Sequence, residues 1–250
     1  MKSPSVDSLV QDIIAEGRIT RDRVISDVTT LQNNPFEVLG YLNRISTFIN
    51  LDLDTVTFDN DVFEIVTTLQ RPAIVQAQYM AERDGLTGAY NRMHMESNLR
   101  ASDSIYSVLM VDIDNFKKVN DNNGHQIGDY VIQNIVKIVQ ETLRESYVSR
   151  YGGEEFYIEL NNVDAKNALK IAERLREKIR NEAVNYIKAD LQKREISVDL
   201  SNLDSITVSI GIADNKMKES PHEVLKNADS ALYSAKNSGR NKSVVYETKK

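Results

Sequence analysis

Gly152-Gly153-Glu154-Glu155-Phe156 sets two carboxylates directly after a double glycine. Paired glycines let a backbone approach a bulky anion with no Cβ in the way, and adjacent carboxylates supply oxygen ligands for a hard cation bound to that anion. The plain alternative, for this segment alone, is a solvated hairpin tip. Upstream, the apolar run Ser107-Val108-Leu109-Met110-Val111-Asp112-Ile113-Asp114 ends in two acids. A carboxylate at the end of a buried strand is costly unless something positive meets it. Asp112 comes too early to cap the helix that follows, so it reads as a metal-facing group. Asp114 reads as the N-cap of that helix, which begins near Asn115-Phe116-Lys117.

Several elements must position these groups. Val148 to Tyr151 and Phe156 to Leu160 read as short strands, with Gly152-Gly153 as a two-residue turn between them. The Asp112 run fits a strand covered on both faces, and if it continues, Asp112 and Asp114 share a face. Around them the pattern alternates: helices near 91–99, 128–144, 164–186 and 221–237, and strands at 206–213 and 243–246. This order predicts a mixed sheet with helices packed on it. In the segment 187–205, Ile196, Val198 and Leu200 alternate with polar residues, which predicts an extra edge strand or hairpin.

Residues 1–83 read instead as an all-helical region, with helices from Val6 to about Leu31, from Phe36 to Asn50 and from Asp59 to about Arg83; Gly17 is a possible break in the first. In the third helix Val62, Val66, Leu69, Ala73, Gln76 and Met80 follow a four-three alternation. That is coiled-coil spacing, interrupted by Pro72, and it points to dimerisation through this helix or to packing on the first two. The division expected is 1–83, helical and regulatory or dimerising, and 84–250, carrying the chemistry.

Composition narrows the function classes. The 250 residues are 41% hydrophobic, enough for real cores, and no apolar run approaches a membrane span. Met1-Lys2-Ser3-Pro4-Ser5-Val6-Asp7 lacks the apolar core of a signal peptide, so a cytoplasmic protein is expected. The absence of cysteine excludes disulfides and thiolate metal sites, and the net charge of −6 disfavours non-specific nucleic-acid binding.

Five ordered blocks now carry a specific resemblance. They are Asp84-Gly85-Leu86-Thr87-Gly88-Ala89-Tyr90-Asn91-Arg92; Asp112 to Asp121 followed by Gly124-His125 and Gly128-Asp129; Gly152 to Phe156; Ser209-Ile210-Gly211-Ile212-Ala213; and Asp229 to Asn241. Together they resemble the GGDEF family of diguanylate cyclases. The resemblance implies an α+β fold with an antiparallel-centred mixed sheet flanked by helices, like nucleotidyl cyclases and polymerase palms. It also implies condensation of two GTP molecules, held on two facing domains of a homodimer, into cyclic di-GMP with loss of two pyrophosphates.

By position, the resemblance gives Asp112, Glu154 and the carbonyl of Ile113 to Mg2+ or Mn2+, with Glu155 as a further metal ligand or a base. Glu154 stands where the family motif has Asp, with the same charge. Gly152, Gly153, Phe116 and His125 fall beside the nucleotide. Asn120 and Asp129 select guanine, whose N1 and N2 donors a carboxylate can accept. Lys117, Lys236 and Arg240 match phosphate-contacting positions. The family's inhibitory product site, an Arg-x-x-Asp pattern, falls by position on Leu143 and Ser146; with one residue deleted it aligns with Arg144-Glu145-Ser146-Tyr147, which keeps the Arg, and there Tyr147 could stack on a base but cannot replace the carboxylate. The other reading is a catalytically weak GGDEF protein that binds GTP or cyclic di-GMP and signals through its helical part. Loss of Asp112, Glu154 or Asn120 would mark it, and all three are present. Residues 1–83 name no ligand, and the upstream signalling partner is not legible.

Overall fold

The computed structural model describes residues 5–16, 18–31, 34–51, 57–58, 62–99, 102–144, 146–197, 200, 203, 205–216 and 218–247. The chain divides into two compact units, Met1–Ala81 and Glu82–Lys250.

The first unit contains α1 (Val6–Glu16), β1 (Arg18–Ile19), α2 (Arg21–Leu31), α3 (Pro35–Leu51), β2 (Thr57–Phe58) and all but the last residue of α4 (Val62–Glu82). The single helix expected from Val6 to Leu31 is interrupted by β1, which pairs in parallel with β2. Gly17, the suspected break, lies outside the described residues. Leu9, Val10 and Ile13 of α1, Val24 and Leu31 of α2, and Tyr41, Leu42 and Ile45 of α3 share one core with Val62, Val66 and Ala73 of α4. Most of the four-three stripe is therefore spent on packing within the unit, while Met80 at its end is exposed. Asp27 is buried in this core and stays compatible with it through its partners. Arg23 Nε donates to both carboxylate oxygens at 3.0 and 2.9 Å, and the Tyr41 hydroxyl donates to Oδ2 at 2.7 Å.

The second unit contains β3 (Tyr90–Asn91), α5 (Arg92–Asn98), β4 (Tyr106–Ile113), α6 (Phe116–Asn123), α7 (His125–Thr142), β5 (Tyr147–Gly152), β6 (Glu155–Asn161), α8 (Ala165–Lys193), β7 (Val208–Asp214), α9 (Pro221–Asn237) and β8 (Ser243–Val245). The sheet runs β3-β5-β6-β4-β7-β8. Its four inner strands are antiparallel neighbours, and β3 and β8 add in parallel at the edges.

All eight residues of β4 are buried, because both faces of the sheet are covered. Leu109, Val111 and Ile113 pack with the apolar faces of α7 and α8; Tyr106, Val108 and Met110 pack with Met95 of α5 and Val224, Ala228 and Leu232 of α9. Helix α9 begins in a capping box, with Ser220 and Glu223 each satisfying the other's backbone N–H and Pro221 in the first turn. It lies hard against β7. A Cβ on Gly211 would stand 2.1 Å from both Ala228 O and Leu232 N, so only glycine permits this approach.

The first part of the segment expected to hold an extra strand, 187–205, is helical instead. Helix α8 continues to Lys193, well past 186, because Ile187 and Leu191 extend its buried face. Beyond it, the described residues up to Thr207 form no strand. Ile196 and Leu200 pack on the main core, and Val198 lies outside the described residues. Tertiary burial accounts for Ile196 and Leu200.

Candidate functional site

The end of β4 gathers the charged groups. Asp112 stands opposite Glu155 of β6 on one side and Ser209 of β7 on the other. It is 6% exposed. Lys236, in the last turn of α9, places Nζ 2.8 Å from Asp112 Oδ2 and 3.9 Å from Glu155 Oε1. Burial pushes the Asp112 carboxyl up to about 6 against the opposing pull of Lys236, and Glu154 and Glu155 push the same way. The neighbouring Ile113 N–H donates to the carbonyl of Glu154 at 3.3 Å, which ties the hairpin tip to the strand that carries Asp112.

The hairpin differs from expectation by one residue. Gly152 belongs to β5 and pairs with Glu155, after a register irregularity that begins at Arg150. Gly153 and Glu154 form the turn. Neither motif glycine has positive φ, so a left-handed turn is not what requires them. A Cβ on Gly152 would stand 3.2 Å from Glu155 Oε2, and Gly153 faces open space.

Among the described residues, no three His, Cys, Asp or Glu side chains are grouped closely enough to hold a metal by themselves. The oxygen donors at this end, two carboxylates from Asp112 and Glu154 and the Ile113 carbonyl, suit magnesium, which binds through one or two carboxylates and completes its shell with water and phosphate oxygens.

A second group of the anticipated residues assembles where α6 meets α7. Asn120 lies in α6, and its Oδ1 is buried with no hydrogen-bond partner among the described residues. A Cβ on Gly128 would sit 1.9 Å from that oxygen and 3.1 Å from the Phe116 ring, so Phe116, Asn120 and Gly128 are brought together and Gly128 makes room for the amide. Gly124, at φ 83°, breaks the chain between the two helices. His125, Asp129 and Lys117 are exposed.

Asp114 does not cap α6. The cap position is Asn115, left-handed at φ 54° with no side-chain cap bond, and β4 ends at Ile113, so the two acids take different partners. Asp114 is buried and accepts from Thr207 Oγ1 at 2.7 Å, Ser209 Oγ at 2.6 Å and the Asn241 backbone N–H at 3.0 Å. Arg240, the residue before Asn241, is exposed.

The family model described as "Diguanylate cyclase, GGDEF domain" matches residues 81–242. The chain belongs to the GGDEF family. The chain is similar to the probable diguanylate cyclase DgcT of Escherichia coli, 38% identical over 66% of this chain and 36% of the relative. Diguanylate cyclase A of Treponema denticola is 30% identical over 90% of this chain and 62% of the relative, so the chain spans less than two thirds of either protein. Among solved structures, the coiled coil and GGDEF domain of DgcB from Caulobacter crescentus, in complex with c-di-GMP, matches with TM-score 0.63 and 30% identity, covering 74% of this chain and 95% of that one.

Two contacts in the GGDEF domain escape the residue-by-residue reading. Arg150 donates from Nε and Nη2 to the Gly153 carbonyl at 3.0 and 2.8 Å and from Nη1 to both oxygens of Asp84 at 3.1 Å, so a guanidinium holds the motif turn from outside. Its spacing before Gly-Gly was the only available signal. Tyr147 is a correction. Its ring stacks on Tyr90 at 4.5 Å and meets Tyr157 edge-on at 6.2 Å, so one face is given to a partner inside the domain rather than to a base.

Proposed function

We propose that this GGDEF domain is a diguanylate cyclase that condenses two GTP molecules into cyclic di-GMP with release of two pyrophosphates. The observation that carries the reading is Asp112, a carboxylate buried at a strand end, set beside Glu154 and Glu155 and faced by Lys236 at 2.8 Å. A concentration of acids faced by a lysine suits a site that exchanges the lysine for a phosphate-borne metal. Mg2+ or Mn2+, when bound by Asp112, Glu154 and the Ile113 carbonyl, would neutralise phosphate charge and polarise the attacking oxygen.

The chain's own residues position the partners. Asn120, whose Oδ1 has no hydrogen-bond partner among the described residues, would accept a donor on guanine once its amide turns from Gly128, and Asp129 would accept from the base edge. Lys236, released from Asp112, and Arg240 and Lys117 would bind phosphate oxygens. The 3′-hydroxyl of one GTP attacks the α-phosphorus of the other, its bond to the bridging oxygen breaks and pyrophosphate leaves; a second attack in the reverse sense closes the ring. Glu155 stands beside these groups as ligand or proton acceptor.

One domain holds half of this reaction, so two copies must face each other. Ile74, Val75, Tyr79 and Met80 of α4 are exposed apolar residues on the helix that precedes the domain, and we assign them to the contact between copies, with the first unit regulating it. No helix among the described residues is long and apolar enough to cross a membrane; the cytoplasm, where GTP is available, is the proposed setting. The test is to incubate the protein with GTP and Mg2+ and identify the product. Cyclic di-GMP is expected, and Asp112→Ala or Glu154→Ala should abolish its formation with the fold intact. A Glu154→Ala protein with parental turnover would refute the assignment.

A further inference from the structure

We propose that Asp114 is a positioning residue for triphosphate binding, holding Arg240 in place through the backbone of Asn241. This inference rests on the reading of Arg240 as a phosphate contact.

Arg240 and Asn241 have φ 61° and 45°, two successive non-glycine residues in the left-handed region. Each such residue is strained and persists only where surrounding contacts determine it. Here the contacts are specific. The Arg240 N–H donates to Ala235 O at 3.0 Å, and the Lys242 carbonyl accepts from Ile210 N at 2.9 Å. Asn241 is gripped at both ends: its side-chain oxygen accepts from Arg176 Nη1 at 2.6 Å, and its N–H donates to Asp114 Oδ2 at 3.0 Å.

Asp114 is itself fixed to the frame that carries the acids. Its own N–H donates to Thr207 O at 2.9 Å, and its carboxylate accepts from Ser209, the β7 residue directly opposite Asp112. One buried carboxylate thus links the end of β4, the end of β7 and the turn after α9. The carboxylate receives three donors and faces no cation among its hydrogen-bond partners. Its geometry sets the distance between the Asp112 end of the site and Arg240.

Asp114→Asn keeps the size but replaces one accepting oxygen with a donor, so the Asn241 N–H or a hydroxyl loses its acceptor. The probe is α,β-methylene GTP with Mg2+, which cannot be attacked, compared with GMP, which lacks the outer phosphates. Asp114→Asn is expected to weaken the triphosphate about ten-fold and GMP less than about two-fold. Arg240→Ala should do the same, and the double variant should be no weaker than Arg240→Ala alone, the non-additivity expected of two residues acting as one unit. Equal weakening of both nucleotides, or additive losses, would show a merely structural role and overturn the proposal. Loss on Arg240→Ala but none on Asp114→Asn overturns it alone, whereas an Arg240→Ala protein of parental affinity overturns the phosphate assignment beneath it. Should Asp114→Asn fail to fold, Thr207→Val removes one of the three donors. It should weaken the triphosphate about two- to three-fold with GMP unchanged, and parallel changes in the two nucleotides would again count against the proposal.

Discussion

At the residue scale, the state of Asp112 depends on what surrounds it. Its carboxyl titrates near 6 in the folded chain against 3.8 ordinarily, chiefly because burial disfavours its charge. A raised pKa means the folded state binds the proton more tightly, so this group's stabilising contribution is full below about pH 4 and is lost as pH rises through about 6. In EDTA, Asp112→Asn should therefore raise the melting temperature more at pH 7.5 than at pH 5, while abolishing turnover. Metal affinity should fall as the pH drops through 6, because a ligating carboxylate must lose its proton; Mn2+ titrations at pH 5 and 7.5 measure it. Gly128 gives a second prediction. A methyl group 1.9 Å from Asn120 Oδ1 must displace that amide, so Gly128→Ala should raise the KM for GTP about ten-fold or more. Steady-state kinetics with GTP and a melting curve would separate this from unfolding.

At the element scale, the approach of α9 to β7 places Lys236 against Asp112, and Gly211 permits that approach. Gly211→Ala forces a Cβ against the backbone of α9 at 2.1 Å. Rigid backbone cannot rotate away as a side chain can, so the helix must back off. We expect a loss of about 1–3 kcal/mol or more in stability, read by urea denaturation, together with a large fall in cyclic di-GMP production as Lys236 withdraws. A variant of parental stability and activity would show that the helix contact is not what positions this lysine. The same packing logic explains α4, whose Val62, Val66 and Ala73 are used inside the first unit.

For the whole molecule, the proposed reaction needs two copies, and the activity should depend on concentration accordingly. Specific activity should fall steeply on dilution unless a dimer persists. Val75 and Tyr79 are 61% and 54% exposed one helical turn apart, so Val75→Arg with Tyr79→Arg should shift the protein toward monomer in sedimentation and move the activity curve to higher protein concentration, with recovery when concentrated. Unchanged sedimentation and unchanged specific activity at every dilution would remove α4 from the contact.

Much of this was legible in one dimension. The Gly-Gly-Glu-Glu run, the acids after an apolar strand and the five ordered blocks identified the family and the antiparallel-centred fold, because residue type and short spacing are sequence properties. The helix stripe at Val62, Val66 and Ala73 was also visible, but not whether a second copy or the same unit would cover it, since both bury the same face. Asp114 looked like a cap by position alone; three donors that are distant in sequence, at Thr207, Ser209 and Asn241, made it a tie between strands instead. Tyr147 gives one ring face to Tyr90, and Gly128 gained its meaning from Asn120. Sequence determined which chemical groups the chain carries and which segments hold them. Tertiary structure decided which groups meet, because burial, partner choice and room for a single Cβ depend on residues far apart along the chain.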